Sequence, residues 1–175
     1  MGCQIAEDVT DKASFDFETF FSVHYGRVAG IIARVVRDPS RAEDLAVDVF
    51  WRLWRSPKAQ GELAAGWVYR TAIRVGLDEL RRRARRSRLE SLFGAGERSP
   101  TPEQIHAVIQ RQDQVRAVLA ALESAQAELL LLRASGFSYD ELASALNLNA
   151  SSIGTLIVRA QNAFRKEYVK RYGEP

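Results

Sequence analysis

Apolar residues recur along this chain every three to four positions, and no useful stretch alternates apolar with polar. Phe17, Phe20, Phe21, Tyr25, Val28, Ile31, Ile32 and Val35 keep that spacing, which predicts a helix over 17–36. Asp38-Pro39 ends it, because proline disfavours helical geometry in the residue before it. Ser40-Arg41-Ala42-Glu43 reads as a capping box, so a second helix is predicted from about 41 to Ser56-Pro57. After a loop at 56–65, a third helix carries Trp67, Ile73, Leu77, Leu80 and Ala84 on one face. Residues 91–102, SLFGAGERSPTP, are rich in Gly, Ser and Pro and read as a linker.

Thr101-Pro102-Glu103-Gln104 has the form of a helix start, with proline at the first helical position. Ile105, Val108, Ile109, Val115, Leu119 and Leu122 follow at helical spacing. The apolar segment 127–134 ends at Gly136, a C-terminal cap. Ser138-Tyr139-Asp140-Glu141 is a further capping box, opening a short helix to Leu146. Asn147-Leu148-Asn149 makes a turn, and a last helix runs from Ser151 to Tyr168. The expected architecture is all-α. It comprises an N-terminal tail over 1–14, a helical domain over 15–90, a flexible linker over 91–102, and a second helical domain over 103–175 containing a helix-turn-helix.

Charge adds direction to this outline. The formal net charge is only +3 over 175 residues, but six arginines lie within 81–88 while residues 1–18 are acidic. That asymmetry predicts a basic face for a polyanion. The one cysteine, Cys3, excludes a disulfide framework within one chain, so a reducing cytoplasm fits. The start MGCQIA has Ala6 where the myristoylation pattern needs Ser or Thr. No apolar run reaches the roughly 18 residues of a membrane span. His24 and His106 are far apart in sequence, so no catalytic triad or metal cluster suggests itself. Neither an enzyme activity nor a cofactor is expected.

The stretch AEDLAVDVFWRLWRS over 42–56 is apolar most of the way round its C-terminal half, beyond the single stripe of a surface helix. Burying a large aromatic removes about 150–250 Å² from water, which argues for rings in the core. Leu45, Val49, Leu53 and Trp54 are the expected inward residues. Glu43, Asp44 and Asp48, with Val47 and Trp51 at the edge, are expected outward, and Phe50 at the border.

From Ser138 to Phe164 the chain has helix-turn-helix proportions. The second helix of such a unit enters the major groove by its N-terminal half. Here that half presents Ser151, Ser152, Thr155 and Arg159. Hydroxyls contact base edges or phosphates, and arginine pairs bidentately with guanine. Arg165, Lys166, Lys170 and Arg171 then form a basic tail, as phosphate contacts require. The arginine cluster LDELRRRARRSR is single-signed after Glu79, so pairing within the helix is not expected to explain it. Trp67, Tyr69, Arg70 and Arg74 precede it on the same helix, an interleaving that suits single-stranded nucleic acid.

Together these stretches resemble the extracytoplasmic-function group of bacterial RNA polymerase sigma factors, over about 15–170. DPSRAEDLAVDVFWRLWR resembles the group's core-polymerase-binding helix. GWVYRTAIRVGLDELRRRARR resembles its promoter minus-ten helix. The segment from VRAVLAALESAQ to VRAQNAFRK resembles its C-terminal minus-thirty-five domain. The resemblance implies a protein that binds core RNA polymerase, through the beta-prime clamp helices and the beta flap, and makes it promoter-specific. By the same resemblance, Glu43, Asp44, Leu45, Val47, Asp48, Phe50 and Trp51 face polymerase. The loop 56–66 with Lys58 holds a flipped base. Trp67, Arg70, Arg74, Arg81, Arg82 and Arg85 lie along the minus-ten DNA. Ser151, Ser152, Thr155, Arg159, Arg165 and Lys166 meet the minus-thirty-five element. Members of the group are often held by an anti-sigma factor, so such a partner is a further expectation.

The chain departs from the group's usual pattern at several positions. Val47 stands where glutamine is usual, Ile73 and Arg74 where arginine and asparagine are usual, and Ile157 and Val158 where polar or basic residues are usual. Two other readings stay open at this point. One is a stand-alone helix-turn-helix regulator, which accounts only for 138–171. The other is a sigma-like decoy or adaptor without initiation activity.

Overall fold

The computed structural model describes residues 15–92 and 103–174. The expected tail over 1–14, most of the expected linker, and the helix-start residues Thr101 and Pro102 lie outside the described residues. Every regular element among the described residues is helical: α1 (Phe17–Val36), α2 (Pro39–Trp54), α3 (Ala64–Leu92), α4 (Glu103–Ala121), α5 (Ser124–Ala134), α6 (Tyr139–Leu146) and α7 (Ala150–Tyr172), with a 3-10 turn at Pro57–Ala59. The all-α expectation holds.

The helix boundaries follow capping chemistry, and one differs from the sequence reading. Asp38, not Ser40, caps α2: its side chain accepts from the Arg41 amide at 3.0 Å. Pro39 then takes the first helical position, where its missing N–H costs nothing, and Ser40 falls inside the helix. The capping box at the start of α6 forms as expected. The Glu141 amide donates to Ser138 Oγ at 3.2 Å, and the Ser138 amide donates to Glu141 Oε2 at 2.7 Å. Asn147 ends α6 in the left-handed conformation with φ 54°, which asparagine tolerates. Asn149 caps α7 through the Ser151 amide at 3.1 Å. α3 runs to Leu92, into the sequence expected to be linker.

The first three helices enclose Val28, Ile32, Val35, Val49, Leu53, Val68, Ala72 and Leu77. The last helices enclose Leu132, Phe137, Leu142, Ile153 and Ala160. These two groups are continuous across α3, against which α4, α5 and α6 all pack. Tyr69 of α3 meets Phe137 edge to face, ring centroids 4.9 Å apart, a geometry worth about 0.5–1.5 kcal/mol beyond its area. Gly66 lets the backbones approach closely: a Cβ there would lie 3.0 Å from Ala145 Cα.

Arginines tie the junction by closing open helix ends, whose last carbonyls lack helical partners. Arg116 donates to the carbonyls of Val35 and Arg34 at 3.1 and 3.2 Å. Arg34 donates to Ala134 O at 2.7 Å. Arg81 donates to Ala120 O and Leu122 O at 3.2 and 3.3 Å. Positive charge at helix C-termini also meets the favourable end of the helix dipole.

Candidate polymerase and nucleic-acid interfaces

α2 divides into two faces with the period of the helix. Leu45, Ala46, Val49, Phe50 and Leu53 are buried. Val47, Trp51 and Trp54, spaced four and three residues apart, share the opposite face and are 53, 53 and 54 % exposed. This corrects the expectation for Trp54, which is not a core residue. It stacks on Trp51 with centroids 5.0 Å apart. It also corrects Leu45 and Phe50 as partner-facing residues. Phe50 is 2 % exposed and sits among the rings of Phe17, Phe20, Phe21 and Tyr25, because those four rings of α1 converge on its side of α2. Val47, Trp51 and Trp54 with Phe17, Phe21 and Phe50 line an apolar groove of about 270 Å³. Glu43 and Asp44 are exposed beside it, and Asp48 pairs with Arg52 at 2.7 Å. An apolar groove bordered by acids suits a partner surface that is apolar at its centre and basic at its edge.

The cationic face of α3 is more heavily bonded than the sequence suggested. Glu79 is buried, 6 % exposed. It accepts from Arg82 at 2.9 and 3.0 Å, from Arg83 at 3.1 Å and from Arg41 at 3.4 Å. Burial pushes its pKa up, but the hydrogen bonds and charge of Arg82, Arg83 and Arg41 outweigh that and hold it at about 2, from the ordinary 4.5. Arg81 also lies 3.7 Å from Asp78. Pairing within the helix therefore does account for part of the cluster, contrary to the sequence reading. Single-signed sequence after Glu79 hid this, because three and four residues forward are the helical neighbours of Asp78 and Glu79.

The seven expected minus-ten residues fall into three states. Lys58 and Arg85 are exposed, and Trp67 and Arg70 are half-buried. Arg74, Arg81 and Arg82 are engaged within the chain. Arg74 forms a two-pronged pair with Glu128 of α5, Nε at 2.7 Å and Nη2 at 3.4 Å.

α7 has one buried side and one exposed side. Ile153, Ile157 and Ala160 point into the core. Ser151, Ser152, Thr155 and Arg159 are exposed along one side, and Arg165 and Lys166 are exposed further on. Ile157 replaces a usually polar residue in a position that this chain buries. Val158 is exposed, an apolar surface residue beside the candidate reading face.

The same two halves are recognised by family models. Residues 20–86 match Sigma-70 region 2, and residues 112–161 match Sigma-70, region 4. The chain belongs to the sigma-70 family. Its relatives place it in the extracytoplasmic-function (ECF) group. It is 27 % identical to the ECF RNA polymerase sigma factor SigK of Mycolicibacterium vanbaalenii, covering 93 % of this chain and 86 % of that protein. It is 26 % identical to the ferric citrate uptake sigma factor FecI of Escherichia coli, covering 94 and 99 %. Among solved structures, the sigma factor RpoE of Bartonella quintana, in complex with the anti-sigma factor NepR, aligns with TM-score 0.49 and 18 % identity over 87 % of this chain and 96 % of that one. Within this sigma-70 frame α2 and α3 as far as Arg86 lie in region 2, and α5, α6 and the first half of α7 in region 4. A stand-alone helix-turn-helix regulator leaves the region 2 match without an account.

Sequence reasoning missed the residues at the junction of the two regions. Arg27 stacks over Phe137 at 3.9 Å and pairs with Glu141 at 3.4 Å. Glu128 carried a signal: it is a lone acid directly before four leucines, and a buried acid needs a partner. Its partner, 54 residues away, was not readable from spacing. Among the described residues no helix is long and apolar enough to cross a membrane.

Proposed function

We propose that this chain binds core RNA polymerase and directs promoter-specific initiation, with its first unit over 15–90, its linker over 91–102 and its second unit over 103–175. The observation that carries the reading is the occurrence of sigma-70 regions 2 and 4 in order along one chain. The polymerase-facing surface is Glu43, Asp44, Val47, Asp48 and Trp51, extended by Trp54, which the geometry adds. Leu45 and Phe50 support that surface from beneath. Lys58, Trp67, Arg70, Arg74, Arg81, Arg82 and Arg85 serve the minus-ten element. Ser151, Ser152, Thr155 and Arg159 read the minus-thirty-five element, with Arg165 and Lys166 on its phosphates. The protein works in the compartment that holds the polymerase, and an anti-sigma factor would restrain it by covering the α2 face.

Reconstitution tests this reading. Purified chain is mixed with core polymerase, and complex formation and transcription from a fragmented-genome template are measured. A stable complex that initiates at discrete promoters is expected. Absence of a complex would refute the reading, and a complex that never initiates would favour a decoy or adaptor.

A further inference from the structure

We propose that the apolar pocket between α4, α5, α7 and the end of α1 binds a free amphipathic carboxylate, with the acyl chain in the pocket and the carboxylate on the arginines that line it. None of the pocket's residues is among those assigned above to polymerase or DNA.

The pocket has a volume of about 580 Å³, within the roughly 300–1,000 Å³ that small-molecule sites occupy. Leu119, Leu130, Leu131, Phe164 and Val115 form its apolar wall. All but Leu119 keep surface in contact with water, and an apolar ligand body would remove that contact. Charge then selects the class of ligand. Arg34, Arg111 and Arg116 line the same pocket, the remaining polar groups are the amides of Gln112 and Gln161, and no acid lines it among the described residues. The groove on α2 is also apolar but has Glu43 and Asp44 exposed beside it. The two sites therefore favour ligands of opposite sign.

The arginines are not equally occupied. Arg34 donates Nη1 to Ala134 O. Arg116 donates Nε and Nη2 to the carbonyls of Val35 and Arg34. Its Nη1 is buried without a hydrogen-bond acceptor, 3.8 Å from Asp113, and that acid is held closer by Arg37, at 2.9 Å. Burial and then the charge of Arg37 lower the Arg116 pKa against the opposing pull of Asp113. Positive charge in this wall is thus incompletely neutralised. Arg111 is exposed and makes no hydrogen bond or ion pair among the described residues. A guanidinium with its whole fork free can give a carboxylate two parallel hydrogen bonds. A neutral alcohol would leave that charge unanswered, and a cation would be repelled.

Octanoate is the probe, with octanol as its neutral analogue and octyltrimethylammonium as its cationic one. Titration calorimetry on the full chain measures affinity, circular dichroism checks folding, and the methyl resonances of Leu130 and Leu131 report the place. A single octanoate per chain is expected, bound about ten-fold tighter than octanol, with octyltrimethylammonium weakest and the methyl resonances of both leucines shifting. Arg111→Ala should bring octanoate down to the level of octanol and leave octanol unchanged. Val115→Trp, which fills the pocket, should weaken both. Octanoate bound no tighter than octanol overturns the proposal, and so does an octanoate affinity that Arg111→Ala leaves unchanged or that a folded Val115→Trp leaves unchanged. If Val115→Trp does not fold, the resonances decide: octanoate that binds without moving Leu130 and Leu131 sits elsewhere, and the pocket assignment fails.

Discussion

The Arg74 guanidinium of α3 reaches across to the Glu128 carboxylate of α5 and grips it with two nitrogens, at 2.7 and 3.4 Å. The acid is buried and the arginine is half in solvent, so the two substitutions are not equivalent. Arg74→Ala leaves a buried carboxylate without its countercharge, a loss on the order of 3–5 kcal/mol. Glu128→Gln leaves an arginine that water can solvate and costs less. In Arg74→Ala, adding Glu128→Gln should recover part of the loss. Chemical denaturation of the four members of this double-mutant cycle checks it.

Trp51 and Trp54 stack on each other in solvent, whereas Leu53, between them in sequence, is fully buried. Trp51→Ala with Trp54→Ala should weaken polymerase binding by about 2 kcal/mol or more, as central aromatic contacts do, with the thermal midpoint nearly unchanged. Leu53→Ala should cost about 2–5 kcal/mol of stability. Pull-down with core polymerase and thermal unfolding separate the two effects.

Glu79 is held at about 2 by three arginines. A carboxylate with a lowered folded-state pKa stabilises the fold above its unfolded value of 4.5, and that contribution is lost as pH falls from there through about 2. Glu79→Gln should remove it, at about 1–3 kcal/mol. The unmodified chain and the variant should therefore converge in stability as pH is lowered through this window. Urea titrations at several pH values measure the convergence.

His24 hydrogen-bonds Tyr69 at 2.6 Å. Burial, with the nearby Arg27 charge, lowers its pKa below the ordinary 6.5. The neutral ring is thus favoured in the folded chain. Its contribution is present above pH 6.5 and declines as pH falls below that value. His24→Phe should flatten the stability profile on this acidic side of neutrality, read by thermal unfolding across the same range.

On α7, Ser151→Ala with Ser152→Ala and Arg159→Ala should weaken duplex binding without changing the unfolding midpoint, since all three residues are exposed. Lys166→Ala should instead lower the salt dependence of binding by about one ion, the mark of a lost phosphate contact. Fluorescence anisotropy against salt concentration distinguishes them.

The helices, the Ser138–Glu141 capping box and the exposed hydroxyl face of α7 were legible in the sequence. They depend on residues within a few positions of one another, where the helical period and capping chemistry act directly. The order of sigma-70 regions 2 and 4 along the chain was legible for the same reason, each carrying local motifs. The division of α2 was only partly readable. Composition showed too many apolar residues for one stripe, but the four rings of α1 around Phe50 decided that Phe50 goes inward and Trp54 outward. Likewise the arginine run showed a cationic helix. Which cations are committed was decided by tertiary packing, which brings Glu128 to Arg74 and the end of α4 to Arg81. Local sequence determines which segments become helices and which face is apolar. Which charge meets which depends on how those helices dock, because a buried acid takes whatever cation the docked partner supplies.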